Sequence, residues 1–174
     1  MFDYKPTIYV KKVQDIDYSK LKKNGIKLIC FDLDNTLDDP DRITKTPRKE
    51  VADLIENLNV YKFRIMIVSN NSIEGRVESF THHFDLPYIE NMHKPFQRKY
   101  NNKIINKYKK EEILFVGDKL STDIIGAHWF GSPSALVDPL CPDKRHWYTN
   151  IMFVADLVWK KIIRFETGVY YDNY

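Results

Sequence analysis

Asp32 ends the short apolar run Lys27–Asp32, and with Asp34 it lies in the string Asp32-Leu33-Asp34-Asn35-Thr36. Residues two apart on an extended chain point the same way, so both carboxylates can face one substrate. One can attack phosphorus and form an aspartyl-phosphate. The other can protonate the leaving oxygen and later deprotonate the hydrolytic water. Two carboxylates repel a phosphate dianion, so the scheme requires positive charge close by. A lysine and a divalent cation would supply it, and magnesium suits oxygen ligands of this kind. Ser69 and Asn70, with the amides that follow, can hydrogen-bond phosphate oxygens, and Lys94 in His93-Lys94-Pro95 can offset charge. Asp118, in the string from Gly117 to Asp123, can complete a metal site, with Asp123 about one helical turn further on.

These groups need elements to position them. The pattern predicts strands at Lys27–Asp32, Arg64–Val68, Ile113–Val116 and Ser134–Val137, with a short extended piece at Pro87–Glu90. Thr46 as cap and Pro47 as first residue predict a helix carrying Val51, Leu54, Ile55 and Leu58. Further helices are expected at Ile73–Phe80, from Pro95 through Ile104, Ile105 and Tyr108, at Thr122–Phe130 with Gly131 as its stop, and at Trp147–Phe165. Strands alternating with helices argue for an α/β fold, a parallel sheet covered on both faces. In such sheets ligands bind beyond the carboxyl ends of the strands. Asp32, Asp34, Ser69 and Asp118 all follow predicted strands, so separate runs deliver polar groups to one edge.

At this point DLDNT, SNN, KP and GDxxxTD, in this order, resemble the four motifs of the haloacid dehalogenase (HAD) superfamily of aspartate-based phosphatases. The resemblance implies a Rossmann-like fold with Asp32 as nucleophile and Asp34 as general acid/base. It further implies Thr36 and Ser69 as phosphate-site hydroxyls, Lys94 as the stabilising lysine, and Asp118 with Asp123 at the metal end beside Asp32. Asp34 would touch magnesium through its backbone carbonyl. Further stretches are similar to the phosphatidylglycerophosphate phosphatases of subclass IIIA: Pro6 to Lys11, Asp15-Ile16-Asp17, Leu21, Gly25-Ile26-Lys27, Leu86-Pro87-Tyr88 and Val137-Asp138-Pro139-Leu140. The likeness spans roughly residues 6–140 and departs at Asp38-Asp39-Pro40-Asp41, where a more apolar flap is usual. Three acids in that flap would be unfavourable beside an anionic head group without extra cations.

An EF-hand beginning at Asp32 would need Gly and Glu where Leu37 and Ile43 stand. A receiver domain also combines a phosphorylated Asp, a hydroxyl residue and Lys-Pro, but its acceptor follows a middle strand, with the acidic pair upstream. Taken singly, Ser69–Asn71 reads equally as a turn and Lys94 as a surface lysine. An inactive binding module would have no chemical need for Asp32, Asp34, Ser69, Lys94 and Asp118 together.

The spacing leaves a flap at about 37–46 but no room for a lid domain, so residues 1–174 are expected to form one capless domain. An open site suits a phosphate on something large, foremost a lipid head group and otherwise a protein or a nucleic-acid end. Lysine predominates over arginine, which disfavours a dedicated nucleic-acid reader, and the basic stretch Lys94–Lys110 reads as a solvated helix face. Cys30 and Cys141 are too few for a disulfide framework, and no apolar run is long enough to span a bilayer. A cytoplasmic chain is therefore expected, with a peripheral place at the inner membrane face if the apolar stretch Trp147–Phe165 lies on lipid rather than on the sheet.

Overall fold

Strand β2 (Leu28–Phe31) is buried along its whole length, which is why it reads as an unbroken apolar run. Its side chains alternate between two cores. Ile29 and Phe31 join one cluster with Val51, Leu54, Ile55 and Leu58, while Leu28 and Cys30 join another with Met66, Phe115 and Ala127. The computed structural model describes residues 5–40, 46–96 and 102–141, together with Val158.

Six strands form one sheet: β1 (Ile8–Val10), β2, β3 (Arg64–Val68), β4 (Tyr88–Ile89), β5 (Ile113–Gly117) and β6 (Ser134–Val137). All pairings are parallel and the order is β1-β6-β5-β2-β3-β4. Helix α1 (Tyr18–Lys23), α2 (Lys49–Val60), α3 (Arg76–His82) and α4 (Ile125–Phe130) accompany it. Residues of α1, α2 and α3 pack on the Ile29–Phe31 face, and Ala127 of α4 packs on the other. The chain leaves β2 toward β3 on one side and reaches β5 on the other. That places the switch in strand order at the carboxyl end of β2, where a crevice opens in such sheets.

The α/β expectation is borne out, with differences at the element boundaries. Helix α2 begins at Lys49 rather than at Pro47, because Arg48 is extended and its guanidinium donates to the Leu37 carbonyl at 3.2 Å. Helix α3 starts at Arg76, not Ile73: Asn71 Oδ1 accepts from Ile73 N at 2.6 Å, and Gly75 takes a left-handed φ of 73°. Pro95 opens no α-helix among the described residues. Asn70 grips the Lys94 backbone at both N–H and carbonyl, and only a 3-10 turn, Ile105–Lys107, follows at the far end. The helix expected from Thr122 is a π-helical turn, Leu120–Ile124, that runs into α4 and stops at left-handed Gly131 as foreseen. Strand β1 and helix α1 had no counterpart in the sequence reading. Half of the expected flap, residues 41–45, and the helix expected at Trp147–Phe165 lie outside the described residues, Val158 excepted.

Candidate active site

Four segments converge on the carboxyl ends of β2, β3 and β5. Asp32 follows β2, and its N–H still pairs with the Val116 carbonyl at 2.8 Å, so the strand geometry reaches the residue that bears the carboxylate. The next residues turn sharply: Leu37 and Asp38 both donate to the Leu33 carbonyl, at 2.9 and 3.0 Å. Asn35 takes a left-handed φ of 67°, which asparagine tolerates better than most side chains. Its carbonyl accepts from Leu140 N and its Oδ1 from Cys141 N, tying the segment after β6 to the turn.

Lys94 enters from the loop after β4. It is 7% exposed, and its Nζ lies 2.6 Å from Asp32 Oδ1, 2.5 Å from Asp123 Oδ1 and 3.0 Å from the Val68 carbonyl. Three acceptors match the three protons of an ammonium. Burial works against that charge, yet Asp123 and Asp32 outweigh it and raise the Lys94 pKa. The Asp32 carboxyl is pushed up to about 6, first by burial and then by Asp123, with Lys94 acting in the opposite direction.

Asp32, Asp118 and Asp123 are all buried, with one carboxylate oxygen from each lying within 4.8 Å of the others. The π-helical turn sets this geometry. Its widened winding points Asp123 back at Gly117, where a Cβ would collide with the Asp123 side chain. Asp123 Oδ2 accepts from Lys119 N at 3.1 Å and from Thr122 Oγ1 at 3.3 Å. Loss of water around the Lys119 ammonium disfavours its charge, but Asp118, Asp32 and Asp123 outweigh that and raise its pKa. Three carboxylates facing two lysines leave net negative charge, and an all-oxygen donor set fits a hard divalent cation such as magnesium.

Ser69 Oγ accepts from Asn71 N at 3.0 Å, which leaves its proton available to a phosphate oxygen. Asn70 spends its side chain on the Lys94 backbone, accepting at 2.7 Å and donating at 3.1 Å. It therefore holds the lysine loop in place rather than reaching outward. Thr36 is buried, and its hydroxyl has no hydrogen-bond partner among the described residues. Asp34 does not point into the acidic triad. Its Oδ2 accepts from Asn71 Nδ2 at 2.6 Å, and its Oδ1 lies 3.1 Å from Arg76 Nη2. Asp38 does not crowd the site as a free charge either: it is buried, 3.2 Å from Arg76 Nη2 and 3.7 Å from Arg48 Nε.

Asn71, Arg76, Arg48 and Lys119 escaped the sequence reading. Asn71 and Lys119 lie inside recognised motifs, so position alone could have raised them. Nothing local marks Arg48 or Arg76, since arginine near a helix start ordinarily reads as solvated surface.

An aspartate at the switch point of a parallel sheet, gripped by a buried lysine beside two more aspartates, defines the class: a phosphatase of the HAD superfamily. Solved structures share the fold. One is described as a HAD-hydrolase, YfnB of Bacillus subtilis bound to magnesium, with a TM-score of 0.50 and 17% identity, covering 70% of this chain and 89% of that one. Another, described as a HAD family hydrolase from Streptomyces avermitilis, has a TM-score of 0.50 and 15% identity over 76% of this chain and 74% of its own. At the sequence level the chain is 36% identical over 136 residues to "Probable phosphatase YqeG" of Bacillus subtilis, covering 78% of this chain and 77% of YqeG. Residues 3–139 match the family described as mitochondrial PGP phosphatase, and the chain belongs to that family.

Proposed function

We propose that this chain is a magnesium-dependent phosphomonoesterase that works through an aspartyl-phosphate on Asp32 and converts phosphatidylglycerophosphate to phosphatidylglycerol. The observation that carries the mechanism is the placement of Asp32 at the end of the central strand, with Lys94 2.6 Å away and Asp118 and Asp123 around it. The family match over residues 3–139 supports the lipid substrate. In this reading residues 1–174 form one capless domain whose open site receives a head group at a membrane surface. No helix among the described residues is long and apolar enough to cross a membrane.

Asp32, Asp118 and Asp123 would hold the magnesium, with the Asp34 backbone carbonyl as a further donor. When bound, the ion supplies positive charge that offsets repulsion between phosphate and carboxylates. Asp32 then attacks phosphorus: a bond forms from its carboxylate oxygen to phosphorus as the bond to the leaving glycerol oxygen breaks. Asp34 gives that oxygen its proton and afterwards takes one from the water that hydrolyses the acyl phosphate. Lys94 holds Asp32 in line and meets charge on the phosphoryl oxygens, while the Ser69 hydroxyl donates to one of them.

A phosphate-release panel tests the reading. With magnesium present, the protein should hydrolyse the lipid monophosphate far faster than a phosphopeptide or a 5′-phosphorylated oligonucleotide, and Asp32→Asn should abolish release from all three. Faster release from the peptide or the oligonucleotide would overturn the lipid assignment. Release without magnesium would overturn the metal dependence.

A further inference from the structure

Arg76 sits at the first turn of α3, yet its side chain is only 5% exposed. Three oxygens converge on its Nη2: Asp38 Oδ2 at 3.2 Å, the Asp39 carbonyl at 3.0 Å and Asp34 Oδ1 at 3.1 Å. That nitrogen carries two protons. Both form hydrogen bonds to the flap, at Asp38 and Asp39, while the contact to Asp34 is an ion pair without hydrogen-bond geometry. Asn71 holds the opposite Asp34 oxygen at 2.6 Å. The carboxylate is thus clamped between an amide on one side and a guanidinium on the other, and the guanidinium is anchored to the start of the flap. Arg48 adds a second cation, 3.7 Å from Asp38 on the oxygen that Arg76 does not bond.

We propose that Arg76 is a positioning residue for proton transfer by Asp34, fixing the carboxylate through a contact whose geometry is set by Asp38 and Asp39 at the entrance to the flap. This rests on the reading of Asp34 as general acid/base. The acidic flap then has a use: Asp38 orients the arginine that orients Asp34, and its charge is balanced by Arg76 and Arg48 before any substrate arrives. Lysine at position 76 would keep the charge, but its ammonium ends one bond short of the Nη2 position and cannot meet all three oxygens from there.

Leaving-group dependence separates this role from a structural one. An alkyl phosphate needs its leaving oxygen protonated, whereas 4-nitrophenyl phosphate releases an anion that is stable without a proton. The ratio of kcat/KM for the two substrates reports the step up to leaving-group departure. Purified full-length Arg76→Lys and Asp38→Asn proteins, with thermal melts to compare folding, should lose on the order of 10- to 100-fold on a short-chain phosphatidylglycerophosphate and less than about threefold on 4-nitrophenyl phosphate. Asp34→Asn serves as the reference and should show the same selectivity in larger measure. Equal losses on both substrates in Arg76→Lys and Asp38→Asn, or no loss on either, would overturn the positioning role while Asp34→Asn still discriminates. If Asp34→Asn itself fails to discriminate, the assignment of Asp34 as proton donor falls, and the proposal falls with it.

Discussion

Replacing Lys94 by methionine keeps the length of the stem and deletes the ammonium. The residue is 7% exposed and serves Asp32 at 2.6 Å, Asp123 at 2.5 Å and the Val68 carbonyl at 3.0 Å. What remains in Lys94→Met is a pair of buried carboxylates facing each other and a carbonyl without its donor. At an effective dielectric near 20, each ion pair at about 3 Å has a gross attraction of about 5 kcal/mol, most of which the wild type spends on desolvation. Removing one partner is costlier than that balance implies because the other stays buried, and a loss of about 3–5 kcal/mol in the metal-free protein is expected. The pH dependence has a definite sign. Burial first, then Asp123, hold the Asp32 carboxyl at about 6 even with Lys94 opposing them, so without Lys94 it rises further. A carboxyl raised in the folded state stabilises below its unfolded pKa and loses that contribution as pH climbs through the folded value. The deficit of Lys94→Met should therefore be largest at about pH 8 and shrink toward about pH 5. Urea denaturation in chelator at several pH values measures it. Added magnesium should stabilise the variant more than the wild type, because a dication replaces part of the missing charge. A variant within about 1 kcal/mol of wild type at about pH 8, or a deficit that grows toward acid, would refute the account of Lys94 as the charge that holds this cluster together.

Other outcomes follow from the same geometry. In Gly117→Ala, the new Cβ collides with Asp123, so magnesium affinity by calorimetry and phosphate release should both fall, with about 1–3 kcal/mol of stability lost to overpacking. Tyr18→Phe removes a buried hydroxyl that donates to the Val13 carbonyl at 2.7 Å, and should cost about 1 kcal/mol in urea with activity unchanged. Asn70→Ala frees the Lys94 backbone at both ends, so kcat should drop while a thermal melt shifts little.

Much of the architecture was legible because strands buried on both faces produce long apolar runs that end abruptly in polar residues. Leu28–Phe31, Arg64–Val68 and Ile113–Gly117 are of that kind, and the aspartates and serine that follow them mark the site edge. Ile8–Val10 is only three residues long, and Tyr18–Lys23 makes fewer than two turns, so neither carries a readable period. Two helix starts, at Pro47 and Pro95, were misplaced because contacts distant in sequence decided them. Arg48 is held by Leu37, and Lys94 by Asn70, and neither partnership leaves a local signature. Arg76 is the clearest case: two turns of sequence around it show an ordinary surface arginine, and only the folded chain brings Asp34 and Asp38 to its guanidinium. The same contacts explain why Asp38, one of the acids that looked hostile to an anionic substrate, coexists with the site.

The central claim is that Asp32 carries the phosphoryl group during turnover. Single turnover with labelled substrate and magnesium, quenched in acid and digested for mass spectrometry, addresses it directly. The account predicts one phosphoryl group on the peptide that contains Asp32, trapped as homoserine at that position by borohydride reduction and absent in Asp32→Asn. A phosphoryl group on any other residue, or phosphate release with no phosphoenzyme at any time point, would contradict it.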